Sequence, residues 1–191
     1  MEKDKVIIVG SKEIVSAVSK NLETTDFSII ASTASANDAL GKINSLFPHL
    51  VITDYNLSDM SGFDFAKLAE SLHICPLIIL SNQMQSEYID DLKNNILDIF
   101  CVLKPINNII LNHTAYLAVK LAKTIHEYEN TITDLKQQLE NRKLIEKAKG
   151  ILMKKFALSE NDAYIEMRKK AMNAAKPIEQ IAKNIIEIFK N

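Results

Sequence analysis

Five short runs of apolar, mostly β-branched residues, KVIIV, FSIIAS, HLVIT, PLIIL and IFCVL, punctuate the N-terminal part of the chain, and they limit its fold more than any other feature. None alternates apolar with polar residues along its length. A strand with one face in water shows that alternation, whereas a strand covered on both faces does not. Between the runs lie SKEIVSAVSKNL, SANDALGKINSLF, SGFDFAKLAESL and SEYIDDLKNNI, where apolar residues return every three or four positions. Strands alternating with helices predict a five-stranded parallel sheet wound on both faces, a flavodoxin-like α/β domain. Ligands of such sheets bind at the carboxyl ends of the strands. Here those ends carry Gly10 and Ser11, Asp54, Ser81, and Lys104.

From Asn107 past Glu140 the chain contains neither proline nor glycine, which predicts one long helix. Leu121, Ile125, Tyr128, Ile132, Leu135 and Leu139 step along it by 4, 3, 4, 3 and 4, the a/d spacing of a coiled coil. A seam this narrow buries itself against a second helix. A parallel homodimer is therefore expected, with Glu127, Glu129 and Lys136 on its solvated rim.

Three shorter helical patterns follow. The first covers Asn141 to Phe156, with Ile145, Ala148, Leu152 and Phe156 as its core face. The second opens at Ser159, an N-cap with Asp162 three residues on, and turns Ala163, Met167 and Ala171 inward. Pro177 starts the third, whose stripe is Ile178, Ile181, Ala182, Ile185, Ile188 and Phe189. Together they predict an all-α three-helix bundle. Gly150 sits within the first, where glycine costs about 1 kcal/mol relative to alanine. On a wheel it lies opposite the core face, in line with Lys143, Lys147 and Lys154. A missing side chain between exposed cations admits a backbone or a base while the lysines meet phosphates. Arg142 and Lys149 border the same face.

Charge supports a division of labour. Residues 1–140 hold 11 basic against 18 acidic side chains, and residues 141–191 hold 12 against 6, so a tail of +6 follows a body of −7. A polyanionic partner for the tail follows from that sign. The two cysteines, Cys75 and Cys101, lie in apolar runs without metal-ligand spacing and read as buried reduced thiols. No apolar run reaches the roughly 20 residues of a membrane span, and MEKDKVIIVG lacks the pattern of a signal peptide, so a cytoplasmic protein without membrane contact is expected.

Over roughly the first 110 residues the chain resembles the receiver domain of two-component response regulators. LVITDYNLSDMSGFDF is similar to that family's phosphoacceptor strand and loop, with Asp54 at the acceptor position and Gly62 in the turn beyond. LIILS places Ser81 at the hydroxyl switch, and VLKPI supplies the Lys104-Pro105 pair. Physically, such an aspartate accepts a phosphoryl group whose charge the lysine neutralises and the serine hydrogen-bonds. Two departures stand out. Receivers end the first strand with acidic residues that hold Mg²⁺, and this chain reads VIIVGSKEIV, with Gly10, Ser11 and Lys12 there. Cys101 replaces the switching aromatic of the last strand. A degenerate receiver is expected, with no metal or cofactor and with Lys12 available to pair with Asp54.

The tail resembles the ANTAR domain of transcription antiterminators. RKLIEKAKGILMKKFALSENDAYIEMRKKAM carries the likeness, including the AKGILM core and the run from Arg168 to Met172. The resemblance implies a non-enzymatic regulator that binds paired hairpins in nascent leader RNA and so prevents termination. It places Arg142, Lys149, Gly150 and Arg168 on the RNA face, with Lys143, Lys147, Lys154 and Lys169 as phosphate contacts by charge. A histidine kinase or a sequestering sensor protein is the expected partner of the receiver. The expected divisions are 1–110 for the receiver, 111–140 for the dimerisation helix and 141–191 for the RNA-binding domain. Two other functions fit the same basic tail: a DNA-binding response regulator, and an interaction module that docks on an acidic protein.

Overall fold

The computed structural model describes residues 3–22, 26–71, 75–85 and 99–189. Its N-terminal elements are β1 (Asp4–Val9), α1 (Lys12–Leu22), β2 (Phe27–Thr33), α2 (Ala36–Leu46), β3 (Leu50–Asp54), α3 (Gly62–Ser71), β4 (Leu77–Ser81) and β5 (Ile99–Leu103). The five strands form one parallel sheet in the order β2-β1-β3-β4-β5. The helix expected over SEYIDDLKNNI lies outside the described residues.

The unbroken apolar runs are explained by two separate cores. Ile7, Val9, Val51 and Ile79 face one side of the sheet and pack with Ala39 and Ile43 of α2 and Phe65 of α3. Val6, Ile8, Ile52, Ile78 and Leu80 face the other and pack with Val18 and Leu22 of α1. Successive strand residues point to opposite faces, so covering both faces requires every position to be apolar. Ser35 caps α2, its hydroxyl accepting from the Asp38 amide at 3.2 Å.

Next comes α4 (Asn108–Phe156), 49 residues in a single helix. Two expectations change here. Leu111, Ala115, Ala118 and Val119 are buried in the second core of the sheet, so the α/β unit continues past residue 110. The helix also runs through residue 141 without a break, because nothing between Asn108 and Lys149 interrupts its hydrogen bonding and Gly150 remains helical within it. By its contacts the chain divides into two compact units, Met1–His126 and Glu127–Asn191. All side chains from His126 to Glu140 are exposed, Tyr128, Ile132, Leu135 and Leu139 among them.

The second unit closes around the last turns of α4, α5 (Glu160–Ala174) and α6 (Ile178–Ile188). Ala148 and Leu152, Ala163, Met167 and Ala171, and Ile181, Ala182 and Ile185 form its core, with Ile145 and Ile178 partly buried against it. Ser159 caps α5 as expected, accepting from the Asp162 amide at 3.2 Å and donating to its carboxylate at 2.6 Å. Two expected core members differ. Ile188 is 71% exposed, lying in the last turn of α6. Phe156 is 57% exposed and meets Phe189 edge-on at 6.0 Å, because it ends α4 and only one neighbour reaches it. Pro177 stands one position before α6, as its cap residue.

Candidate functional site

At the carboxyl edge of the sheet the parallel register brings Asp54, Ser81 and Lys104 together. Asp54 is paired with Leu80, and Ser81 with Leu103, so the next residue of β5's exit carries the lysine to the aspartate. The Lys104 ammonium donates to Asp54 Oδ1 at 2.5 Å, and the Asp54 side chain is buried. The Lys104 amide donates to the Ser81 carbonyl at 2.8 Å, which fixes the strand exit, and the Lys104-Pro105 peptide is cis. Lys104, not Lys12, is the cation on Asp54; Lys12 is exposed. Ser81 Oγ lies 3.0 Å from Cys101 Sγ, so a thiol occupies the neighbourhood of the hydroxyl. Gly10 is buried against the aspartate. A Cβ there would stand 3.3 Å from Asp54 Cβ and 3.0 Å from Ile14 Cγ2. Glu13 turns to its own helix start, where the Ser11 hydroxyl holds its carboxyl below the usual range.

In the second unit the structure sorts the expected RNA face into free and occupied cations. Gly150 is open: nothing lies within 4 Å of where its Cβ would be. Lys147 and Lys154, one turn to either side, are exposed. Among the described residues neither has an ion-pair partner, and the same holds for Arg142 and Arg168, both exposed. Lys143 is exposed but pairs with Glu140 at 2.6 Å, and Lys169 pairs with Glu166 at 3.7 Å. Lys149 departs from expectation. It is 8% exposed, with its ammonium between Glu146 Oε1 at 2.8 Å and Glu160 Oε1 at 2.7 Å. Its position on the wheel points to the first turn of α5, where Glu160 waits. The Glu146 and Glu160 carboxylates hold the ammonium's pKa above its ordinary value, and Lys149 in turn holds Glu160 below the carboxylate range. Lys149 thus ties α4 to α5, and the open cationic stripe is Lys147, Gly150 and Lys154.

Comparison with known proteins agrees with both halves. The pattern of the response regulator receiver domain matches residues 6–116, more than half of the chain. The chain belongs to the response regulator receiver family. The ANTAR domain pattern matches residues 133–186, so an ANTAR domain follows the receiver. A full-length relative is the transcriptional regulatory protein PdtaR of Mycobacterium tuberculosis, 25% identical over 184 residues, covering 96% of this chain and 89% of that protein. Among solved structures, the signal receiver domain of an HD domain-containing protein from Pseudomonas fluorescens Pf-5 is similar with a TM-score of 0.58 at 18% identity. The match covers 66% of this chain and 94% of that one. A CheY-like receiver domain protein from Methanospirillum hungatei JF-1 gives a TM-score of 0.54 at 21% identity, covering 64% and 98%. Among the described residues no helix is long and apolar enough to cross a membrane.

One residue near the receiver's site escapes a reading of the sequence. Asp59, in the loop after β3, reaches the start of α2. Its Oδ1 accepts from the Ala36 amide at 2.8 Å, and its Oδ2 accepts from the Asn37 amide at 3.0 Å and the Ser35 hydroxyl at 2.8 Å. The Asn37 amide first, then the Ala36 amide and the Ser35 hydroxyl, lower its pKa to about 2. A carboxylate at a helix N-terminus meets amide donors that have no partner within the helix. No local motif announces it, because the partner is 22 residues upstream. A pKa lowered on folding stabilises the receiver above the unfolded value, and that contribution disappears as pH falls through about 2. Asp59→Asn is therefore expected to flatten the fall of the receiver's stability between about pH 4 and pH 2. Urea unfolding at several pH values checks this. An unchanged pH dependence would remove Asp59 from the account.

Proposed function

We propose that this response regulator acts by transcription antitermination, with its ANTAR domain holding paired hairpin loops of a nascent leader RNA. The observation that carries the reading is the open Gly150 between the exposed, unpaired Lys147 and Lys154. Phosphates meet the lysines, and the gap admits a loop backbone or base between them. The tail's charge of +6 has the right sign. The name of the M. tuberculosis relative, a transcriptional regulatory protein, fits the same level of control. The exposed seam of Leu121, Ile125, Tyr128, Ile132, Leu135 and Leu139 joins two copies, and each copy holds one hairpin. The protein is non-enzymatic and cytoplasmic, and its receiver answers to a histidine kinase or a sequestering sensor protein.

The reading is tested by measuring binding of a two-hairpin RNA, a scrambled RNA and duplex DNA across a salt series. The two-hairpin RNA is expected to bind most tightly. Lys147→Ala and Lys154→Ala are each expected to reduce the slope of log affinity against log salt by roughly 0.7, one phosphate contact on a single strand. Gly150→Ala should raise helix stability by about 1 kcal/mol and still weaken RNA binding. Tightest binding to duplex DNA would move the protein to the DNA-binding regulators. Binding to none of the three would favour an acidic protein as the tail's partner.

In the receiver, the residues at the acceptor site do not suit Mg²⁺. That ion takes an octahedral shell of oxygens from carboxylates, carbonyls and water. Here Asp54 offers a carboxylate already engaged by Lys104, and Gly10 and Ser11 stand where acidic side chains would add to it. Incubation with a small phosphodonor, read by phosphate-affinity electrophoresis, is expected to give no Mg²⁺-dependent phosphorylation of Asp54. Ready, Mg²⁺-dependent labelling lost in Asp54→Asn would overturn this reading.

A further inference from the structure

The outer face of α5 carries a feature that the lysine stripe does not explain. Tyr164, Arg168 and Met172 stand at i, i+4 and i+8, one above the other along the helix. All three are exposed, Tyr164 by 42% and Met172 by 74%, while Ala163, Met167 and Ala171 turn into the core. Ile165, also exposed, flanks them. An aromatic ring, a guanidinium and a thioether in one line make a flat, polarisable surface with a positive centre.

The carboxylates of α5 leave that centre unneutralised. Glu160 is held by Lys149, Asp162 by the cap hydroxyl of Ser159, and Glu166 lies nearest to Lys169. Arg168 has no ion-pair or hydrogen-bond partner among the described residues. A partner protein's apolar face would meet a charge in the middle of the line, and burying that charge without a counterion is costly. An unpaired nucleic acid base suits the line better. Its π-face stacks on a tyrosine ring and on a guanidinium plane, and phosphates alongside supply the counter-charge.

We infer that Tyr164, Arg168 and Met172 form a stacking ledge for unpaired loop bases of RNA, separate in role from the phosphate-binding stripe of Lys147, Gly150 and Lys154. The inference rests on the antitermination reading of the ANTAR domain. The stripe supplies attraction that does not depend on base identity, and the ledge adds contact only with a base that has left its stack.

The test uses the full chain and a two-hairpin RNA carrying 2-aminopurine at each loop position in turn. Binding is expected to change the probe's fluorescence strongly at one loop position or two neighbouring ones. Tyr164→Ala should weaken binding by about 5- to 150-fold, the range of one stacked base, and leave the salt slope unchanged. Tyr164→Phe should bind like the natural chain, and Arg168→Lys should bind less tightly at an unchanged slope. Natural-chain binding with no fluorescence change at any loop position would overturn the ledge, and that readout needs no variant to fold. So would a Tyr164→Ala chain that binds as tightly as the natural one. Either result, with two-hairpin RNA still preferred over duplex DNA, leaves the antitermination reading standing. Loss of that preference in the natural chain removes both.

Discussion

Gly62→Ala is expected to destabilise the receiver by about 2–4 kcal/mol, seen as an earlier urea transition of the α/β unit. A Cβ at Gly62 would stand 2.5 Å from the Asp54 carbonyl oxygen and 2.8 Å from Tyr55 Cα. Both neighbours are backbone, so no side-chain rotation relieves the overlap. The Gly62 amide donates to the Tyr55 carbonyl at 2.6 Å, and Asn56 bridges to Ser61, so the loop is drawn back on the strand end from both sides. Moving the glycine away would also move the backbone that presents Asp54. Gly41 provides the control. It lies within α2 with nothing within 4 Å of its Cβ position, and Gly41→Ala is expected to stabilise by about 1 kcal/mol. The chain has two units, so each transition is read separately. Equal effects of the two substitutions would show that close approach is not what Gly62 provides.

Lysine at both Ile132 and Leu135 is expected to convert a dimer to a monomer in sedimentation and to lower affinity for two-hairpin RNA by about 10²- to 10⁴-fold. Single-hairpin affinity should stay as it was. The two positions are exposed in the single chain, so the substitutions leave the core of neither unit disturbed. Their cost falls on a seam between copies, where a buried lysine has no counter-charge. The difference between the two RNAs measures linkage: one hairpin bound places the second at an effective concentration set by the joined copies. A natural chain that sediments as a monomer, or equal losses for both RNAs, would remove the dimer from the mechanism.

The sequence made some of this structure legible because the relevant signals are local or periodic. Unbroken Val and Ile runs gave a sheet covered on both faces, and the parallel order then brought Asp54, Ser81 and Lys104 to one edge. The wheel put Gly150 on the open side of its helix, where the structure has it. Lys149 was not legible. An angle on a wheel says how far a side chain lies from the core, but not where the next helix begins, and Glu160 at the start of α5 is what draws Lys149 in. Asp59 was hidden for a similar reason, since its donors belong to a loop and helix that only folding brings near. The contact of Ser81 with Cys101 depends on the register of β4 with β5, which composition does not specify. The extent of α4 was misjudged at both ends because helix propensity is continuous there. Burial of Leu111 and Ala118 decides where the α/β unit stops, and no change of composition marks the place.

The unbroken course of α4 makes the number of residues between the receiver and the ANTAR domain a quantity of its own. In a flexible linker one residue more or less changes only reach. In a continuous helix it turns everything downstream by about 100°, and so turns the Lys147–Gly150–Lys154 stripe relative to the seam. Adding seven residues restores that angle to within about 20° and shifts the stripe by about 10 Å. Length in this segment is therefore quantised in heptads, and an insertion that alters no contact surface still acts as a change of phase.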